Sequence, residues 1–427
     1  MTKKVKPFMV ERNFLILMTG VFINGLGSGI YSVAGMLLVL NLSGSVLYSG
    51  FAFFAITSAS ALSFLIAPLA NYAKYRNGLV YSNLIKAIIL FTIPLLNYTI
   101  GLNVWYVIIL LFITALFTQY TYPIESTILP IIVGKDHVVE ANAYLQTIRE
   151  SMDIAFIAGA GIIITFIGTV PAISITAICL VLVTISYAFF NFQQPDISRE
   201  SSQSIGSAVN FYFIDLRAGF NYIRNSLVPK MIFSIVFINI AMVIMTTNLP
   251  AFSLAKGNGI EATYGFYLAS MSLGIMIGTI ITPKLKHINF GKLVIITFIG
   301  TGIMWMGTST LPLIPSMILF STGAISIGIL NILVFSSIQK QVETAYIGRV
   351  ITLISSAAAI GMPLGSLVGG VLGETFTPEI PVMICGISMI IFSIFWLSSS
   401  VLRKLPDIDN VNLFKHSETN QLEHENI

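Results

Sequence analysis

Charge is what this chain has least of. Only 9% of its 427 residues are Asp, Glu, Lys or Arg, against about a quarter in an ordinary soluble domain. So few ions cannot keep a soluble surface of this length hydrated, and 56% of the residues are hydrophobic. At ~20 apolar residues per crossing, that content accommodates on the order of a dozen membrane helices. Composition therefore excludes a soluble enzyme, a disordered chain and a nucleic-acid binder. Cysteine is nearly absent too. Cys179 and Cys385 fall inside long apolar runs and read as small buried hydrophobes, not as the framework of a disulfide-stapled secreted domain. Of the histidines, His137 and His287 lie in polar turns and His416 and His424 in the C-terminal tail. No metal cluster and no Ser-His-Asp arrangement is visible among them, so neither an enzyme nor a cofactor is expected. The Gly-x-x-x-x-Gly-Lys-Ser/Thr phosphate loop of an ATP-driven pump is also missing.

What is present is a succession of apolar runs. Bounded by charges or by Gly, Pro and Asn clusters, they fall near 13–40, 47–70, 79–100, 104–133, 142–168, 171–192, 229–254, 263–283, 292–311, 314–338, 347–373 and 380–402. Met1-Thr2-Lys3-Lys4-Val5-Lys6 resembles the start of a signal peptide. The run after Arg12 is too long for one, however, and no Ala-x-Ala site follows, so it reads as an uncleaved first helix. The polar, Ser-rich stretch from Gln193 to Ser207 leaves six runs on each side. The expected organisation is an all-α polytopic membrane protein with bundles at 1–192 and 229–403, a linker at 193–228 and a polar tail at 404–427.

Lysine and arginine orient it. With the N-terminus inside, 20 of the 22 basic residues fall in cytoplasmic segments, as the positive-inside rule requires. The exceptions are Lys86, within the third run, and Lys256, which faces outward. Both termini are expected in the cytoplasm. Within the linker, Val209, Phe213, Leu216, Phe220 and Ile223 recur at helical spacing. With Asn210, Asp215, Arg217 and Arg224 off that stripe, the segment reads as a helix lying at the cytoplasmic interface and joining the two halves.

A weak repeat relates the halves. Ile66-Ala67-Pro68, followed by Gly78-Leu79-Val80, is echoed by Ile281-Thr282-Pro283, followed by Gly291-Lys292-Leu293-Val294. Parallel six-helix repeats of this kind build major facilitator transporters. Three stretches strengthen that likeness: Tyr122-Pro123-Ile124-Glu125-Ser126-Thr127-Ile128-Leu129-Pro130 with Ala141-Asn142-Ala143-Tyr144-Leu145-Gln146; the amphipathic linker; and Tyr346-Ile347-Gly348-Arg349-Val350 with Gly361-Met362-Pro363-Leu364-Gly365. The chain resembles the major facilitator superfamily over nearly its whole length, and within it the macrolide-efflux-like branch of bacterial drug exporters. The match departs at three places. Asn71 stands where the loop signature has Asp, Thr114 where many proton-coupled exporters have Arg, and Ala158-Gly159-Ala160-Gly161 lacks the antiporter proline.

The resemblance implies a monomeric secondary transporter of the bacterial plasma membrane that exports drug-like, amphipathic small molecules, with proton coupling. An importer on the same fold, or a non-transporting immunity or receptor protein, stays open. Glu125 is the candidate coupling carboxylate, because charge inside a bilayer asks for a reason. The alternative is an ion-pair partner of Arg149 or Lys86. Its depth is ~12 Å if the helix ends at Val133 and ~6 Å if Pro130 ends it. Lys86 is expected to snorkel to the interface. Arg149, Glu150 and Asp153, with Lys74, Arg76 and Arg349, form the expected cytoplasmic gate network. Asn24, Gln119, Tyr122, Asn239 and Asn331 fall on the helices that line the family's cavity, and each either contacts substrate or bonds between helices. Gly274 and Gly278, and Gly361, Gly365 and Gly369, make small-residue faces expected to pack between the two bundles.

Overall fold

The computed structural model describes residues 11–66, 74–134, 141, 145, 148, 152, 156, 159–191, 205–285, 287–342, 344–407 and 410. Every regular element among them is a helix. The first six are α1 (Arg12–Ser43), α2 (Val46–Ala61, continued by the turn Ser63–Ile66), α3 (Tyr75–Thr99), α4 (Val104–Val133), α5 (described over 159–167) and α6 (Thr169–Ala188). A linker helix, Ile205–Ile223, follows. Then come α7 (Val228–Lys256), α8 (Ala262–Leu285), α9 (Phe290–Thr310), α10 (Leu313–Gln341), α11 (Thr344–Thr375) and α12 (Glu379–Ser398). Ten of the described helices are long and apolar enough to cross a membrane.

Local chemistry sets the ends. The Asn103 side chain accepts the Trp105 N–H and opens α4, satisfying a donor that the first helical turn leaves free. Gly134, at φ +74°, closes it. The helix runs through Pro123 and Pro130 without ending, so Glu125 takes the deeper of its two expected positions. Prolines are tolerated in membrane helices, and Thr127 Oγ1 donates to the Pro123 carbonyl of the preceding turn at 2.8 Å. Gly44, at φ +65°, ends α1 in the left-handed helical conformation.

The packing repeats after six helices. α1 packs on α6, α3 on α6 and α3 on α4; α7 packs on α12, α9 on α12 and α9 on α10. Two compact units result, one of Met1–Tyr48, Ala55–Val209 and Ile260–Ala269, the other of Ser49–Phe54, Asn210–Gly259 and Ser270–Ile427.

Candidate functional site

The first unit holds a buried charged site. Glu125 on α4 is 5% exposed and Lys86 on α3 is 2% exposed. The two lie close enough for their charges to interact. Tyr187 on α6, fully buried, donates its phenolic hydrogen to Glu125 Oε1 at 2.9 Å. Tyr187 belongs to one buried hydrophobic cluster with Phe14, Leu17, Val21, Leu79, Ile124 and Ile128. An isolated ion there would cost several kcal/mol, on the order of its desolvation penalty, and opposite charge with a hydrogen bond offsets that cost. The Tyr187 ring stacks on Phe190 with centroids 5.3 Å apart. Its other edge lies against Gly20 of α1, where any Cβ would overlap the ring.

Lys86 does not reach the interface as expected. Its helix begins at Tyr75, four residues before the expected start, which places Lys86 roughly 16 Å along α3. Of the two readings of Glu125, the structure brings it to Lys86; Arg149 lies outside the described residues.

The candidate cavity residues divide. Thr118, Tyr122 and Ser126 follow one another at four-residue spacing on α4 and are all exposed. A polar stripe on an otherwise apolar membrane helix belongs against water. Asn331 is likewise exposed on α10, and Asn24 is half-buried on α1. Gln119 is tied between helices, its amide donating to Ser60 Oγ at 3.1 Å. Asn239 donates to the Ile235 carbonyl of its own turn at 2.9 Å.

Of the expected gate network, Lys74 is exposed just before α3 and Arg76 donates to the carbonyl of Ala188, the last residue of α6. Arg149, Glu150, Asp153 and the Arg349 side chain lie outside the described residues. The linker helix presents Phe213, Ile214 and Phe220 as exposed side chains and buries Ile223. Tyr222 stacks on Tyr346 of α11 at 4.3 Å.

The glycine faces need correction. Gly274 and Gly278 receive the Ser321 and Ile325 carbonyls of α10, and Gly328 receives the Ile275 carbonyl in return. Gly361, Gly365 and Gly369 lie on α7, where a Cβ on Gly365 would stand 2.9 Å from the Ile240 carbonyl oxygen. Both faces pack inside the second unit and not between bundles, because each glycine admits a neighbouring backbone of its own unit.

Sequence reasoning missed two groups. Tyr187 sits in an apolar run with nothing nearby in sequence to link it to Glu125. Asn248 is fully buried on α7 and donates both to Ile244 of its own helix and to Gly369 of α11, each at 2.8 Å. Its amide in the middle of a span is a readable signal in the sequence.

A model of the family described as "transmembrane secretion effector", of major facilitator type, matches residues 3–425. The chain belongs to this family. An MFS-type transporter of Bacillus subtilis (strain 168), YvqJ, is 22% identical over 364 residues, 84% of each chain. Among solved structures, a variant of the nucleoside transporter NupG superposes with a TM-score of 0.72 at 13% identity, covering 90% of this chain and 99% of its own. A D-xylose–proton symporter gives 0.60 at 12%, covering 93% and 98%. The solved structures bear on fold alone. With the family, they make this secretion effector homologue a multi-pass membrane transporter of major facilitator fold, and hence a carrier of small-molecule solutes across a lipid bilayer.

Proposed function

We propose that this transporter exports amphipathic, drug-like small molecules by alternating access, driven by protons. The observation that carries the reading is the composition of α4. One face exposes Thr118, Tyr122 and Ser126, a hydroxyl-rich, aromatic surface suited to mostly apolar solutes with a few polar groups. Another face buries Glu125. One helix thus carries both a solute-facing surface and an ionisable group in the membrane, the pairing that ion-driven transport needs. The description of the family, secretion, supports the outward direction. Asn24, Gln119, Tyr122, Asn239 and Asn331 are the proposed solute contacts. Arg149, Glu150, Asp153, Lys74, Arg76 and Arg349 are the proposed inner gate. The proposed setting is the bacterial plasma membrane, with both termini cytoplasmic and a single chain as the working unit. The macrolide-efflux-like branch is the proposed affiliation within the superfamily.

Inverted vesicles test this. Under an imposed pH gradient, acid inside, a fluorescent amphipathic cation such as ethidium is expected to accumulate in vesicles with the protein several-fold over vesicles without it. Accumulation only in right-side-out vesicles would make it an importer. Exchange without accumulation under any gradient would remove proton coupling.

A further inference from the structure

We infer that Lys86, Glu125 and Tyr187 act as one proton-loaded coupling unit, with the helix-three lysine and the helix-six tyrosine as positioning residues for the carboxylate. This rests on the proton-driven reading above and adds to it the groups that make Glu125 respond to a proton. The geometry supplies three observations. Lys86 and Glu125 are both buried, Tyr187 holds Oε1 at 2.9 Å, and Tyr187 itself packs in a buried hydrophobic cluster. α1 brings Phe14, Leu17, Val21 and Gly20 to Tyr187, while Tyr75 of α3 and Tyr120 of α4 pack against the same core.

The charge balance gives the device. With Glu125 ionised and Lys86 an ammonium, the site is neutral and stable in a dry core. One proton taken up by the carboxylate forms a carboxylic acid and leaves the ammonium without a counter-ion in apolar surroundings. A lone buried cation is far less tolerable than a pair, so loading favours a conformation in which Lys86 gains water. Release of the proton restores the pair and the closed packing. Differential stability of two conformations is what a ligand, here a proton, needs in order to drive a change.

The site is placed to pass that change on. Tyr187 belongs to α6, and α6 is laced to α1 along its length. Thr176 Oγ1 donates to the Gly27 carbonyl at 3.1 Å, and Asn13 and Asn191 exchange two hydrogen bonds at 2.9 and 3.0 Å. The Tyr187 ring lies on Gly20, one helical turn before the proposed solute contact Asn24. A shift of the phenol moves α1, and α1 carries that contact.

The test removes both charges together. Lys86→Met/Glu125→Gln leaves no buried ion, so it is expected to retain the thermal stability of the native protein in detergent. It is also expected to exchange labelled for unlabelled ethidium at the native rate. Uphill accumulation under a pH gradient is expected to fall at least tenfold, together with the solute-dependent proton release read by pyranine trapped in the vesicles. A double variant that accumulates solute like the native protein would make the pair structural and overturn the inference. A folded double variant that has also lost exchange would overturn it too, since the unit would then serve solute passage itself. If the double variant does not fold, Tyr187→Phe decides. It keeps both charges and is expected to keep exchange while changing the pH profile of accumulation; an unchanged profile would overturn the unit. Native protein that exchanges but never accumulates would instead overturn the proton-driven reading, before any variant is made.

Discussion

Lys256 closes the end of a neighbouring helix: its ammonium donates to the Ser309 carbonyl at 2.8 Å and to the Leu311 carbonyl at 3.0 Å. These are among the last carbonyls of α9, which have no partner within their own helix. A cation there also meets the negative end of the helix dipole. The ammonium lies 5.6 Å from the Phe252 ring centroid as well. This explains why one lysine departs from the charge bias of the loops. Its place is set by a helix end and not by topology.

Lys256→Met is therefore expected to lower stability by about 1–2 kcal/mol, the range for a charge-assisted bond at a partly exposed helix end. The drop should appear as a lower melting temperature in detergent. An unchanged melting temperature would mean that water caps α9 equally well.

The glycines of α8 give a sharper contrast. Alanine in place of a helical glycine normally gains about 1 kcal/mol of helix propensity. At Gly278 the added methyl would overlap the Ile325 carbonyl of α10, whereas at Gly300 of α9 it would meet nothing within 4 Å. Gly278→Ala is expected to destabilise by about 1–3 kcal/mol through overpacking, and Gly300→Ala to be neutral or mildly stabilising. Thermal unfolding of the two single variants side by side checks the order. The reverse order would place α8 and α10 further apart.

How much of this was legible in the sequence follows from which forces act locally. The run 104–133 matches α4 residue for residue, because Asn103 and Gly134 mark its ends chemically and the bilayer demands a long apolar stretch between them. The linker helix was readable from its 3.6-residue period. Pairings between helices were not. Tyr187 and Glu125 are 62 positions apart, and periodicity does not say which faces meet. Lys86 was misplaced for a related reason. Reading the start of its helix at Leu79 instead of Tyr75 made it shallow enough to reach water. The glycine stripes were found as stripes, but their partners, α7 and α10, are facts of packing that one helix does not record.

Orientation gives a prediction that needs no variant of the transporter itself. Because basic residues crowd alternate connections, reporter fusions at the C-terminus and near Gln194 are expected to read cytoplasmic, and one at Gly257 external. A C-terminal fusion that reads external would require an odd number of crossings and remove the twelve-span arrangement.

The linker helix supplies the last expectation. Phe213, Ile214 and Phe220 are about half exposed, a surface suited to the apolar edge of a membrane interface. What fixes the helix to the second unit is the stack of Tyr222 on Tyr346, rings 10° from parallel at 4.3 Å, together with buried Ile223. An aromatic pair of this kind is worth about 0.5–1.5 kcal/mol beyond its buried area, so losing it should raise the population of the undocked helix by roughly 2- to 12-fold, taking 1.4 kcal/mol per factor of ten. Arg217 on this helix and Arg224 just past its end are exposed and report that opening as trypsin sites. Tyr346→Ala in vesicles that expose the linker is expected to be cut there several-fold faster than the native protein, while Tyr346→Phe, which keeps the ring, is expected to match it. Equal cutting of all three would mean that Ile223 and the bilayer hold the helix without the stack.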